Sequence, residues 1–498
     1  MTEIAMPSTA PPEAPKKGKK AHSTPWRDNI EAMLMAIIMA LVLKYFLVEA
    51  YRIPTGSMQP TLMGNDHIGV YDRILVDKFS YQFRKPERFE VAVFRYPLDR
   101  SKNFVKRIVG VGPEDFRVRY GDLWHRKDKT EDWQIIHRPG HVQAETWLKM
   151  AKDEPDNPLF HDASDRGLNF GRDFSLEGSR RLRFGESRAS VMDSYNDGYP
   201  DAIIDDMPRN KNGSGSHPVG DLRIEGALQV AAGTEWVTFE IEEGALVYQM
   251  RLPGPAAPTG AAPTIEVRDG DVLHKSRPVE MHKEASALRL EAGASYDFVA
   301  QNLDDRLTLQ LDGETLVELD IPPNPLLGAA LYLETTAGLT TFRDVMVYRD
   351  IFYTNDSVLV DETHIPEGMY FMMGDNTLDS SDSRMWRLHR LEHRLPDGSV
   401  ELVQGNHRVG GGMGSQSDFK NDINPFTTSL GTPDLRPITW FRDEWGEMHN
   451  YEAGEVAPAD PLTLSSPFVR EDQILGRAIA VFWPIRPMDS IWRFKRVD

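Results

Sequence analysis

No cysteine occurs anywhere in the chain. That absence removes disulfide scaffolds, thiolate metal sites and cysteine nucleophiles, so any nucleophile must be an oxygen or an amine. Positive charge is in short supply as well: 57 Lys and Arg stand against 76 Asp and Glu, a formal net charge of −19. Such a surface repels phosphate backbones and offers no sequence-independent affinity for DNA or RNA, so nucleic acid is not an expected partner. Long apolar runs are scarce, with one exception close to the N-terminus. What is present, 498 residues at 40% hydrophobic and 27% charged, is a folded protein too long for one ordinary core, and two or three domains are expected.

Residues 1–27 are rich in Pro, Ala and Ser and carry Lys16, Lys17, Lys19 and Lys20, which reads as a disordered basic tail. From Ile30 to Val48 nearly every residue is Ala, Met, Leu, Ile, Val, Tyr or Phe, long enough to cross a bilayer at ~1.5 Å per residue. Its charges, Glu31 and Lys44, lie near the ends, and Trp26 and Tyr51 stand where interfacial aromatics usually do. A buried core helix or a cleaved signal peptide would show similar composition, but no small-x-small cleavage site closes the run, which ends in Glu49-Ala50-Tyr51-Arg52. We therefore expect a single retained transmembrane helix over 28–50, with the lipid bilayer as a partner. The positive-inside bias puts the N-terminus in the cytoplasm and the rest outside the cell (inner or plasma) membrane.

Directly after this run, Arg52-Ile53-Pro54-Thr55-Gly56-Ser57-Met58-Gln59-Pro60-Thr61-Leu62 presents a hydroxyl on a loop, since Pro54 ends any helix and Gly56 permits tight turning. A Ser beside Gly and Pro is usually just a turn. Phe89–Pro97 and Asn103–Val111 are β-branched and aromatic, a hairpin-like pattern, and Lys106 falls inside the second. A lysine there loses hydration, which disfavours its charged form as a lysine base requires; the bland reading is that it snorkels from a sheet edge. Far downstream, Gly374 to Trp386 is dense in Asp, Asn, Ser and Gly. This could be a self-bonded loop or a calcium site, but no spaced Glu is present and Arg384 would sooner pair with a carboxylate. No metal and no cofactor are expected.

Those four segments, in that order after an N-terminal apolar run, resemble the type I signal peptidases of the Ser-Lys protease clan. Ile474-Leu475-Gly476-Arg477-Ala478 is similar to the family's closing strand. The resemblance implies a serine endopeptidase that removes signal peptides from exported preproteins, with Ser57 as nucleophile and Lys106 as base. It implies an oxyanion hole from the Ser57 N–H and the Thr55 hydroxyl. Ser380 would orient the lysine, Asp382 and Arg384 would form a supporting ion pair, and Met58 and Ile53 would line the substrate pocket. The fold expected is mainly β: the N-terminal transmembrane helix, an antiparallel β catalytic fold and an inserted jelly-roll-like β-sandwich.

Gly112-Pro113 inverts the Pro-Gly order usual after the lysine strand, so a changed turn with unchanged chemistry is expected. The catalytic domain is expected over 51–122, 351–388 and 467–498. Between them lie an irregular insert with a linker over 123–217, helical near Gln143–Lys152 and ending at Asn210–Ser216, then a sandwich over 218–350. The latter follows from Leu307, Leu309 and Leu311 alternating with polar residues before the turn residues Asp312-Gly313. Tyr296-Asp297-Phe298 and the following strands resemble concanavalin A-like jelly rolls, which implies carbohydrate as a ligand. A second insertion, 389–466, reads as a long, partly disordered loop. The competing functions are a membrane-anchored carbohydrate or cell-wall binder on an inactive protease fold, against which intact Ser57, Lys106, Thr55 and Ser380 argue, and a self-cleaving regulator of the same clan. Regulators of that kind carry a DNA-binding module where this chain has its apolar run.

Overall fold

The computed structural model describes residues 25–42, 47–150, 159–164, 168–185, 190–194, 198–204, 206, 215–269, 272–273, 280–281, 288–324, 328–355, 362–407, 426–428, 438–443, 445–452, 454–465, 467–483, 485–489 and 491–497. Most of the expected basic tail, Asn210–Ser214 of the expected linker and the glycine-rich Val409–Ser415 lie outside these residues.

Two compact units emerge, residues 1–49 and 50–498. In the first, Pro25–Val42 is an α-helix whose Met33, Leu34, Met35, Ile37, Ile38 and Met39 are exposed. Among the described residues no helix is long and apolar enough to cross a membrane. The helix expected over 28–50 also ends differently, because Val48–Arg52 is a strand: β-branched and aromatic residues at the close of the apolar run favour extended backbone.

The second unit is almost entirely antiparallel β. One of its sheets follows the order Arg73–Asp77, Ile474–Val481, Val91–Tyr96, Asp99–Val111, Met369–Met373, Phe468–Arg470. The lysine strand is therefore central, with Lys106 opposite Ala92 and Arg107 opposite both Val91 and Met373. Side chains alternate faces along a strand, so Lys106 and Arg107 point to opposite sides, and both are buried. After the turn at Gly112-Pro113, Glu114–Arg119 opens a second sheet with Asp122–Arg126, Gln134–Ile135 and Thr363–Ile365. Glu114 stabilises that turn by accepting from the Val111 N–H at 2.9 Å.

Among the described residues the sandwich consists of two sheets of eight strands each. Leu307, Leu309 and Leu311 face its core, and Asp312 and Gly313 take the positive φ that their hairpin turn needs. Its limits differ from the expected 218–350. Leu148–Lys149 and Phe174–Glu177 pair with Leu339–Arg349 in one sheet, and Phe160–Asp162 and Arg180–Phe184 join the other. Charged neighbours hid these strands: in Arg180–Phe184 the residue buried in the core is Leu182 alone among three arginines.

The stretch 123–217 is not an irregular appendage either. Its helix is Gly140–Thr146, shorter and earlier than expected. Ile136, Val142 and Leu148 pack with Phe89, Val109 and Phe116 in one apolar cluster, and Tyr199 and Ile203 pack with Met63 and Val70 in another. Replacing 121–355 by a short linker is thus expected to expose both clusters and give insoluble protein, which far-UV circular dichroism and gel filtration would check. The second insertion, expected as a long loop, also holds strands among its described residues. Arg387–Arg394, Val400–His407 and Val456–Ser465 form a three-stranded sheet, and Phe426–Thr428, Ile438–Arg442 and Met448–Glu452 form another.

Candidate active site

Ser57 sits on a turn-rich loop held by Gln59 N–H to Gly56 O (3.1 Å) and Leu62 N–H to Met58 O (2.8 Å). Beneath the loop, Ile53 and Met58 belong to an apolar cluster with Leu62, Ile74, Val76, Val91 and Val93. Both are buried, at 5% and 1% exposure. They anchor the loop from below.

Lys106 reaches this loop from the central strand and donates from Nζ to Ser57 Oγ at 2.6 Å. Neither residue is open to water: Ser57 is 3% exposed and Lys106 1%. The Phe104 ring, two residues earlier and so on the same strand face, lies 5.9 Å from Nζ. A neutral amine at this distance can take the hydroxyl proton and leave an alkoxide. Thr55 Oγ1 stands 3.4 Å from Ser57 Oγ, close enough for its hydroxyl to turn toward charge developing beside the nucleophile.

The loop after Met369–Met373 clamps the nucleophile from the other side. Asn376 N–H donates to Ser57 O at 3.2 Å, and its side-chain amide donates to Gly56 O and Gln59 Oε1, each at 3.2 Å. Gly374 is required here by close approach, since a Cβ would lie 2.3 Å from both Ser57 O and Ser380 Oγ. Ser380 Oγ is buried against Gly374 and has no hydrogen-bond partner. The bond to Lys106 expected of it is not made, because its hydroxyl is turned to the glycine backbone. Asp382 and Arg384 do meet, through two bonds of 2.8 Å, and Asp382 also accepts from Gly374 N–H at 3.2 Å. Arg384 continues to Thr354 O at 2.6 Å, tying this loop to the chain leaving the sandwich.

Sequence reasoning missed one buried ion pair next to the candidate site. On the face of the strand opposite Lys106, Arg107 donates from Nε and Nη2 to the two oxygens of Asp375, each at 2.8 Å. Thr61 Oγ1 donates to Asp375 at 2.6 Å and accepts from Arg107 at 2.9 Å. Arg107, Asp375 and Thr61 are all at 0% exposure. A signal was there to read: two adjacent cations in an apolar strand face opposite sides, so each needs its own buried partner. A separate cavity of about 440 Å³ between Arg117–Gly121 and Phe352–Asn355 contains neither Ser57 nor Lys106.

A buried serine held by a lysine amine on an antiparallel sheet defines a candidate serine peptidase site. The family model described as signal peptidase, peptidase S26, matches residues 26–194 and 333–401. Signal peptidase I of Leptolyngbya laminosa is 32% identical over 154 residues, 28% of this chain and 72% of the relative. The chain belongs to the signal peptidase I family. A probable signal peptidase I-2 of Synechocystis is 36% identical over 118 residues, 22% of this chain and 51% of the relative. Signal peptidase I of Pseudomonas aeruginosa is 30% identical over 173 residues, 32% of this chain and 58% of the relative. Of these last two relatives the chain spans little more than half the length. Among solved structures, a CBM66 carbohydrate-binding module from Bacillus subtilis aligns at 11% identity over 38% of this chain and 91% of its own, with a TM-score of 0.23.

Proposed function

We propose that this chain is a membrane-bound serine endopeptidase that removes signal peptides from exported preproteins. The observation that carries the reading is the 2.6 Å bond from Lys106 Nζ to Ser57 Oγ, with both side chains buried. Ser57 Oγ attacks the scissile carbonyl carbon while Lys106 takes the hydroxyl proton. The tetrahedral oxyanion is held by the Ser57 N–H and the Thr55 hydroxyl. Its collapse breaks the C–N bond, Lys106 gives its proton to the leaving amine, and water then hydrolyses the acyl-enzyme by the same route. Asp382–Arg384, and Ser380 against Gly374, hold the backbone around this geometry. Detergent-solubilised protein should cut a synthetic signal-peptide substrate once, at the small residue before the mature sequence, as read by mass spectrometry; no cleavage of any such substrate overturns the reading.

Thr55→Val is expected to lower kcat by ~10²-fold or more with little change in thermal midpoint, because one donor aimed at developing charge is worth about 3 kcal/mol. Steady-state kinetics beside a melting curve check it, and an unchanged kcat would mean that Thr55 points elsewhere.

The anchor is the apolar run around Ile30–Val48, with the N-terminus cytoplasmic and the catalytic unit extracytoplasmic. Exposed Trp483, Met488, Trp492 and Phe494 near the C-terminus suit contact with lipid, which would bring the site to the surface from which signal peptides emerge. Protease added outside spheroplasts should therefore cut near Asn210–Ser216; protection there, with cutting near Lys16, would reverse the topology. The sandwich is proposed as a carbohydrate-binding module, to be tested by glycan-array binding of the whole protein.

A further inference from the structure

Two arginines border the cavity beside Phe352–Asn355 without a matching negative charge. Arg117 and Arg119 stand two residues apart, and so on one face, of the strand Glu114–Arg119, and both line this space of about 440 Å³ together with Tyr120, His217 and Phe352. Arg117 Cζ lies 4.1 Å from the centre of the Trp133 ring and 5.6 Å from that of Trp124. Stacking of this kind uses the faces of the guanidinium and leaves the N–H groups in its plane for an acceptor. Arg117 Nε is buried and has no hydrogen-bond partner. Arg119 donates to Tyr120 Oη at 2.8 Å. Among the described residues no carboxylate stands at ion-pair distance from either arginine. Those nearby are engaged by a third, because Arg126 meets Asp115 at 3.0 Å and Glu362 at 3.4 Å. Burial, and after it repulsion from Arg119 and Arg126, hold Arg117 below the usual guanidinium range.

The other side of the cavity is aromatic and fixed in place. The His217 ring stacks on Phe352 with centroids 5.3 Å apart and planes 15° apart. Asp193, at 0% exposure, holds that imidazole through Nδ1 and accepts from the His217 N–H, each at 2.9 Å. The two sides are joined where Tyr353 N–H donates to Gly121 O at 3.0 Å. Phe352 O accepts from Thr377 Oγ1 at 2.7 Å and Thr354 O from Arg384 at 2.6 Å. These bonds set the walls before any ligand arrives, and the volume falls within the ~300–1,000 Å³ of small-molecule sites.

We propose that this cavity binds a small organic oxyanion, its charged group held by Arg117 and Arg119 and a flat ring laid against His217 and Phe352. Paired guanidinium groups supply in-plane donors for such a group, and the stacked rings supply apolar area for the rest of the molecule. The proposal does not depend on the peptidase reading.

The test titrates the full chain in non-ionic detergent, at low salt, with phenyl phosphate, inorganic phosphate and phenol, followed by calorimetry. Saturable binding of phenyl phosphate is expected, with ~10-fold weaker binding of inorganic phosphate, which has no ring, and none of phenol, which has no charge at neutral pH. Arg117→Gln with Arg119→Gln should weaken phenyl phosphate by ~10-fold or more without lowering the thermal midpoint, since the substitution removes repulsion. Wild-type protein that binds no phenyl phosphate overturns the proposal whatever the variant does, as does a folded variant that binds it like wild type. Equal affinity for inorganic phosphate overturns the assignment to a ring-bearing ligand, and binding of phenol as tight as phenyl phosphate overturns the role of the arginines.

Discussion

Ser57→Ala and Lys106→Met should each lower kcat by roughly 10⁴-fold or more while leaving a folded protein, and the double variant should be no worse than either single one. The non-additivity follows from geometry. With a 2.6 Å bond joining the two side chains, the amine has no proton to take once the hydroxyl is gone, and the hydroxyl stays weakly nucleophilic without the amine. Met is chosen because its unbranched apolar chain fits the slot at 1% exposure that Lys106 occupies and cannot act as a base. Lys106→Arg should be equally inactive, since guanidinium stays charged, but its extra atoms also overpack the site. Single-turnover cleavage of a peptide beside a melting curve checks all four. Substantial turnover by folded Lys106→Met would remove the lysine from the mechanism.

The second large effect concerns stability. Asp375→Ala strands Arg107, at 0% exposure, without its carboxylate, and the expected loss is about 3–5 kcal/mol, read as a fall in thermal midpoint of roughly 10 °C for a domain of this size. Arg107→Met alone should cost less, because the aspartate left behind keeps the Thr61 hydroxyl at 2.6 Å. Combining Arg107→Met with Asp375→Leu should recover most of the loss, as apolar replacements of buried pairs do. Additive damage in the double variant would show that Asp375 acts through the loop alone, where Asn376 N–H meets Ser57 O.

The segments that meet at the candidate site were legible in the sequence because each carries a local pattern: a hydroxyl between Gly and Met, a lysine inside an apolar strand, an Asp-Ser-Arg run after Met369–Met373. The alternation at Leu307, Leu309 and Leu311 likewise gave the sandwich. Other features depend on contacts that no local window holds. Arg107 finds Asp375 far along the chain, and Phe160 and Leu182 become strand residues only against partners such as Phe184 and Leu333. Ser380 shows the opposite error, where position in a motif implied a bond to Lys106 that its hydroxyl does not make.

The placing of Lys106 and Arg107 side by side on Asp99–Val111 makes frame, rather than composition, the vulnerable property of this strand. Slipping it by one residue against Val91–Tyr96 would turn a permanent cation toward Ser57 and aim the amine at Asp375, exchanging the two jobs without changing a single amino acid. Away from Lys106 and Arg107, point changes along the hairpin are therefore more tolerable than length changes. A one-residue insertion between Tyr96 and Asn103 can be absorbed in the turn, whereas one between Phe104 and Lys106 cannot, and gene variation should leave that short interval fixed in length while the distant segments grow and shrink.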